Sequence, residues 1–91
     1  IRDVAVARNL KITIEDTGGA EIDTAAYSGL LLSTPERLRQ HTVDFHNWVT
    51  VSYAKADFRI AGGRMWLPEG PGLGVEVDRQ ALGEPVLSCS T

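Results

Sequence analysis

Two adjacent carboxylates, Glu15 and Asp16, close the alternating run Leu10-Lys11-Ile12-Thr13-Ile14. A carboxylate at the C-terminal end of a barrel strand lies on the face where barrel enzymes place their sites, and there it can hold a metal, a substrate cation or a neighbouring lysine. The local alternative is that one of the pair caps the helix that follows while the other is solvated. Strict alternation turns Glu15 inward with Thr13 and Asp16 outward, whereas the tip of the strand, closest to substrate, favours Asp16. Asp44 ends a second strand-like run and carries the same argument. Trp48, just beyond it, can offer a ring face to a cation, although tryptophans such as Trp48 and Trp66 more often belong to a core or a domain interface. His41 and His46 are five apart, a spacing that matches neither a helical i, i+4 pair nor the even spacing of a strand, so they do not make a metal pair. Cys89 has no basic neighbour in sequence to lower its pKa and is expected to be inert. The run Gly70-Pro71-Gly72-Leu73-Gly74 lacks the spacing of a phosphate loop and precedes Val75-Glu76-Val77 rather than a helix, so it is a structural turn.

These residues need elements to position them. Residues 10–16 alternate polar and apolar through Ile14, with β-branched side chains at three successive positions, which predicts a strand. Ile12 and Ile14 share one face, and Thr13 and Glu15 the other. Thr17-Gly18-Gly19 breaks the strand into a tight loop. Residues 20–33 are helical by pattern, with Ile22, Ala26 and Leu30 stacked, Tyr27 and Leu31 beside them, and Glu21 and Asp23 in the first turn, where the helix dipole favours anions. Thr34-Pro35 stops that helix, and a second strand is expected within residues 38–45. Residues 1–8 have the pattern of a helix end, with Ile1, Val4, Ala5 and Arg8 on one face, no residue capping the front, and Asn9 as the left-handed residue that closes it. The order helix, strand, helix, strand with short connections is the rhythm of a parallel sheet or a β/α barrel. Beyond Phe45 the rhythm changes. Val49, Val51 and Tyr53 alternate, as do Phe58 and Ile60, and Asp78 can N-cap one helical turn that Gly83 and Pro85 end.

Composition narrows the setting. The 91 residues are 43% hydrophobic, with nine Lys and Arg against twelve acids, a net charge of −3 and one cysteine. A chain this short would bury only about 60–65% of its unfolded surface, and no internal disulfide can compensate. The pI near 5.2 removes the broad positive footprint that nucleic-acid binding needs. No apolar run reaches the length of a membrane span and no signal-peptide pattern is present, so a soluble, cytoplasmic protein is expected. The chain opens on isoleucine, in what has the pattern of a helix already under way, and its only methionine is Met65. It is therefore expected to be the tail of a longer protein.

Taken together, Ala7-Arg8-Asn9-Leu10-Lys11-Ile12-Thr13-Ile14-Glu15-Asp16-Thr17-Gly18-Gly19, the helix with Asp23-Thr24-Ala25-Ala26, and Pro71-Gly72-Leu73-Gly74-Val75-Glu76-Val77-Asp78 resemble the C-terminal quarter of the enolase superfamily, along nearly the whole chain. The likeness is to the mandelate racemase/muconate lactonizing branch, and within it to the group of cis-3-hydroxy-L-proline dehydratases and hydroxyproline-betaine epimerases. The Pro-Gly-Leu-Gly-Val ending is common to much of the superfamily, whereas Ile-Glu-Asp-Thr followed by Gly-Gly is more characteristic of this group.

The resemblance implies an α/β fold, the C-terminal part of a (β/α)7β TIM-like barrel plus a tail returning to a capping domain, with the barrel incomplete in this chain. Residues 1–45 would be the last βα units and residues 46–91 the tail packed on barrel and capping domain. It implies Mg2+ held by residues outside this chain, and acid/base lysines that also lie upstream. Only Lys11 and Lys55 are present here, without a Lys-x-Lys pair. Stabilising an enediolate requires a divalent ion and two placed bases, so this segment carries no catalytic residue and no metal ligand of its own. The expected activity of the complete enzyme is abstraction of the α-proton of a proline-type amino acid, with cis-3-hydroxy-L-proline dehydration, 2-epimerisation of hydroxyproline betaine or a related racemisation as outcome. Asp16, Glu15, Asp44 and Trp48 are the expected substrate-binding residues. The expected partners are the remainder of the same enzyme, a small amino-acid substrate and further copies in a homo-oligomer, with neither nucleic acid nor membrane. The rival reading is a noncatalytic small binding module whose acidic surface and tryptophans meet a partner.

Overall fold

A computed structural model describes residues 1–15, 18–43 and 48–89. The chain begins with α1, Arg2–Ala7. Its end is a Schellman closure: the Asn9 amide donates to the Val6 carbonyl (3.0 Å), the Leu10 amide donates to the Ala5 carbonyl (2.9 Å), and Asn9 holds φ 57°. Asn9 therefore closes this helix as its residue type predicts. The predicted apolar face does not form, because Ile1 and Val4 are exposed and no residue of α1 is buried. Six residues are too few to anchor a face on their own, and polar contacts hold this helix instead. Arg2 pairs with Asp3 (2.5 Å) and donates to Ser33 Oγ (2.7 Å), while the Arg37 guanidinium donates to Asn9 Oδ1.

Strand β1, Ile12–Glu15, and strand β2, Arg39–Val43, pair in parallel. Both are shorter than the runs that predict them. Leu10 belongs to the helix closure, and Leu38 to a 3-10 turn, Glu36–Leu38, where it is 3% exposed. Ile12 aligns with Arg39, Ile14 with Thr42 and Glu15 with Val43, so β2 advances three residues while β1 advances two. This bulge around Gln40 and His41 explains why alternation is weak in the β2 sequence. Along β1, Ile12 and Ile14 are half-buried, whereas Thr13 and Glu15 are exposed, as the alternation predicts.

Helix α2, Glu21–Leu32, links the two strands and packs on both. Its buried stripe is Thr24, Ala25, Ser28 and Leu31, which corrects the expected stripe of Ile22, Ala26 and Leu30. Ala26 and Leu30 are exposed, and Ile22 is only half-buried. Apolar residues run most of the way round this helix, so periodicity alone cannot select the inward face. The small residues do so, because they let the sheet approach closely. The Tyr27 hydroxyl donates to Thr24 Oγ1 (3.0 Å), and Thr24 is fully buried. At the end of the helix, Ser33 Oγ and Thr34 Oγ1 both donate to the Leu30 carbonyl (2.7 and 3.3 Å), and Pro35 follows.

The tail forms two antiparallel ribbons. Strands β3, Ala54–Lys55, and β6, Glu76–Val77, pair with each other, and so do β4, Arg59–Ala61, and β5, Arg64–Trp66. Gly62 and Gly63 join β4 to β5 with φ of 56° and 71°, the positive pair that a two-residue hairpin of matching twist requires. Across this hairpin Arg59 stands opposite Trp66, with its guanidinium 4.2 Å from the ring centroid. Asp78 caps α3, Arg79–Leu82, by accepting the Gln80 and Ala81 amides (2.9 and 3.1 Å), as its position predicts. The glycine run is a turn closed by the Gly74 amide donating to the Pro71 carbonyl (3.2 Å). A side chain at Gly74 would come within 2.7 Å of the Pro68 carbonyl oxygen.

Among the described residues the buried apolar set is Ala20, Ala25, Leu31, Leu38 and Ala54, three of which are alanine and contribute little burial. The accessible surface is 7061 Å2, against about 5,200 Å2 for a self-contained globule of this mass. The radius of gyration is 14.8 Å, against about 12 Å for a compact chain of this length. Both measures describe a chain with faces still to be covered.

Candidate functional site at the C-terminal ends of the parallel strands

Strands β1 and β2 run the same way, so their C-terminal ends and the start of α2 lie at one end of the unit. Glu15 is the last residue of β1. It is exposed, on the face opposite the one packed by α2. Thr13 shares that face, and its hydroxyl donates to Gln40 Oε1 of β2 (3.2 Å). Asp16 and Asp44 lie outside the described residues, as does His46. Trp48 is 78% exposed. The structure thus brings Glu15 to the predicted end, on the predicted face.

The loop behind Glu15 returns into α2 through Gly18 and Gly19. A side-chain carbon at Gly19 would fall on the Asp23 side chain, 2.4 Å from its Cβ, so the first turn would have to shift to admit one. Ala20 precedes the helix without a side-chain cap, and the acids Glu21 and Asp23 occupy the first turn, where they complement the dipole. Glu21 does more than that. Its Oε2 accepts the Tyr53 amide (3.2 Å), a link across 32 residues that no local pattern signals. The Thr13 to Gln40 bond was likewise invisible to the sequence, because the bulge sets its register.

The other chemistry-bearing residues stand apart. Lys11 precedes β1 at the end opposite Glu15, Lys55 is in β3, His41 is exposed on β2, and Cys89 is an exposed free thiol. Among the described residues no group of three or more His, Cys, Asp or Glu could hold a metal ion, and no helix is long and apolar enough to cross a membrane. Chemically, the end that carries Glu15 can attract and orient a cationic ligand. Among the described residues it carries no pair of bases with which to move a proton at carbon.

A second feature is an open groove of about 690 Å3 lined by Ser28, Leu31, the outer edge of β2 and the β4–β5 hairpin. Ser28 Oγ is buried there with no hydrogen-bond partner among the described residues. A buried hydroxyl left unpaired is costly.

Comparison with known proteins places these features. The chain is 40% identical over 86 residues to the cis-3-hydroxy-L-proline dehydratase of Roseibium aggregatum, an alignment that covers 94% of this chain and 23% of that protein. It superposes on a mandelate racemase/muconate lactonizing enzyme of Roseovarius nubinhibens ISM, described there as putative, with a TM-score of 0.85 at 36% identity over 94% of this chain and 23% of that one. A structure of the same description, complexed with magnesium, gives a TM-score of 0.86 at 36% identity over 94% of this chain and 24% of that one. The chain thus spans about a quarter of the length of these relatives. With the Enolase C-terminal domain-like family matching residues 1–81, and with the parallel β1–α2–β2 unit in place, the chain belongs to that family, a C-terminal part of a TIM-barrel-type domain.

Proposed function

We propose that this chain is the C-terminal part of an Mg2+-dependent enzyme that abstracts the α-proton of a proline-type amino acid, with dehydration of cis-3-hydroxy-L-proline as the outcome. The observation that carries the reading is the 40% identity to a cis-3-hydroxy-L-proline dehydratase along 94% of the chain. The open groove and the excess surface support a partner that is the remainder of the same enzyme rather than a free-standing module. In this reading the metal and the proton-transferring bases belong to that remainder, as the resemblance implies. This chain's own part is to bind and orient. In the proposal, an acid at the end of β1, Asp16 or Glu15, meets the cationic ring nitrogen of the substrate, with Asp44 and Trp48 as secondary contacts.

The test uses the complete enzyme in deuterated buffer with Mg2+. Wild type should exchange the α-proton of a proline-type acid and eliminate water from the 3-hydroxy compound; neither reaction occurring would overturn the proposal. Loss of one charge-assisted hydrogen bond costs about 1.5–3 kcal/mol, so Asp16→Asn should lower kcat/KM by roughly tenfold to a hundredfold. If Asp16→Asn is silent and Glu15→Gln abolishes turnover, the substrate contact belongs to Glu15, which lies on the face away from α2.

A further inference from the structure

We propose that Glu21 is a positioning residue that fastens the β3–β6 ribbon to the end of the unit where the candidate site lies, making that ribbon part of the rim around the substrate. The inference rests on the proposed function for the substrate and on the geometry for the tie.

Tyr53 is a junction with both of its backbone groups engaged. Its amide donates to Glu21 Oε2 (3.2 Å), and its carbonyl accepts the Asp78 amide (2.7 Å), immediately beyond β6. The carboxylate thus stands where a neighbouring strand would otherwise supply a carbonyl. The next residue, Ala54, is 3% exposed and pairs with Val77, and β3 packs against α2. Buried Ala20, Thr24 and Ala25 give the first half of α2 the small surface that lets a backbone come close. Glu21 is the first residue of α2 and follows the loop that leaves Glu15. A ribbon held at this point therefore stands beside the C-terminal ends of the parallel strands, not at their far end, where Arg2 and Arg37 make the structural ties.

The tie depends on reach more than on charge, and two substitutions in the complete enzyme separate the two. Glu21→Asp keeps the negative charge at the helix start, and hence the fold, but withdraws the oxygen by one methylene. Glu21→Gln loses the charge and keeps an acceptor oxygen at the same reach. Glu21→Asp should raise KM for the proline-type substrate roughly tenfold with kcat within about twofold, because uniform binding is lost and chemistry is not. It should also speed hydrogen exchange at the Tyr53 amide by roughly tenfold, as expected when a hydrogen bond worth one decade opens. Glu21→Gln should stay within about threefold of wild type in both measurements. The reverse order, with Glu21→Gln impaired and Glu21→Asp normal, would overturn the inference in favour of a helix-dipole role. A Tyr53 amide unmoved by Glu21→Asp would overturn it as well. Wild type without turnover of any proline-type acid would instead overturn the proposed function, while Tyr53 exchange, which needs no substrate, still reads the tie.

Discussion

Residues 1–43 and residues 48–89 differ in whether they enclose an interior of their own. In the first region a hydrogen bond joins Thr13 to Gln40 across 27 residues, and a twelve-residue helix covers one face of the strand pair. In the second, β4 and β5 are joined by two glycines, and the only buried residue among those described is Ala54, which packs beneath the helix of the other region. Layering a helix on a sheet creates an interior, whereas a two-stranded ribbon alone does not. The second region is thus built to lie on something, and its hairpin already forms one wall of the open groove.

That contrast can be broken most decisively by isolating the chain. With a buried apolar set dominated by alanine, the 91 residues on their own should lack a cooperative unfolding transition in urea, monitored by circular dichroism and tryptophan fluorescence. A sharp, two-probe coincident transition would show that the ribbons do supply an interior. Within the complete enzyme the regions should also differ in sensitivity. Leu38→Ala, at a position 3% exposed, should cost about 2–5 kcal/mol of unfolding free energy. Leu82, half-exposed in α3, sharpens the comparison: if the rest of the enzyme covers the tail, Leu82→Ala will also cost more than the roughly 0.5 kcal/mol typical of surface sites. Asp78→Ala should cost about 1 kcal/mol from the lost cap of α3, measured by the same denaturation.

Features set by neighbouring residues were legible in the sequence. Asn9 closing α1, Asp78 capping α3, the alternation that puts Thr13 and Glu15 on one face of β1, and the parallel pairing of the two strands around one helix all follow from short-range chemistry. What could not be read depends on distant partners. The inward face of α2, Thr24, Ala25, Ser28 and Leu31, is set by what packs on it, so the expected stripe of Ile22, Ala26 and Leu30 was the wrong guide. The bulge in β2 exists only relative to β1. Of the candidate site, the end and face carrying Glu15 were legible, whereas the second role of Glu21 was not, because its partner Tyr53 is far along the chain.

The bulge has one more consequence, for assembly. Side chains in a strand change face at every residue, so a neighbour displaced by one position presents the wrong set to the interior. The extra residue in β2 makes its two ends differ in phase relative to a straight neighbour. A strand added along its open edge must absorb the same offset at the same place. The irregular stretch around Gln40 and His41 thus acts as a register mark: a strand paired there with a one-residue slip would turn its polar side chains toward the packed layer.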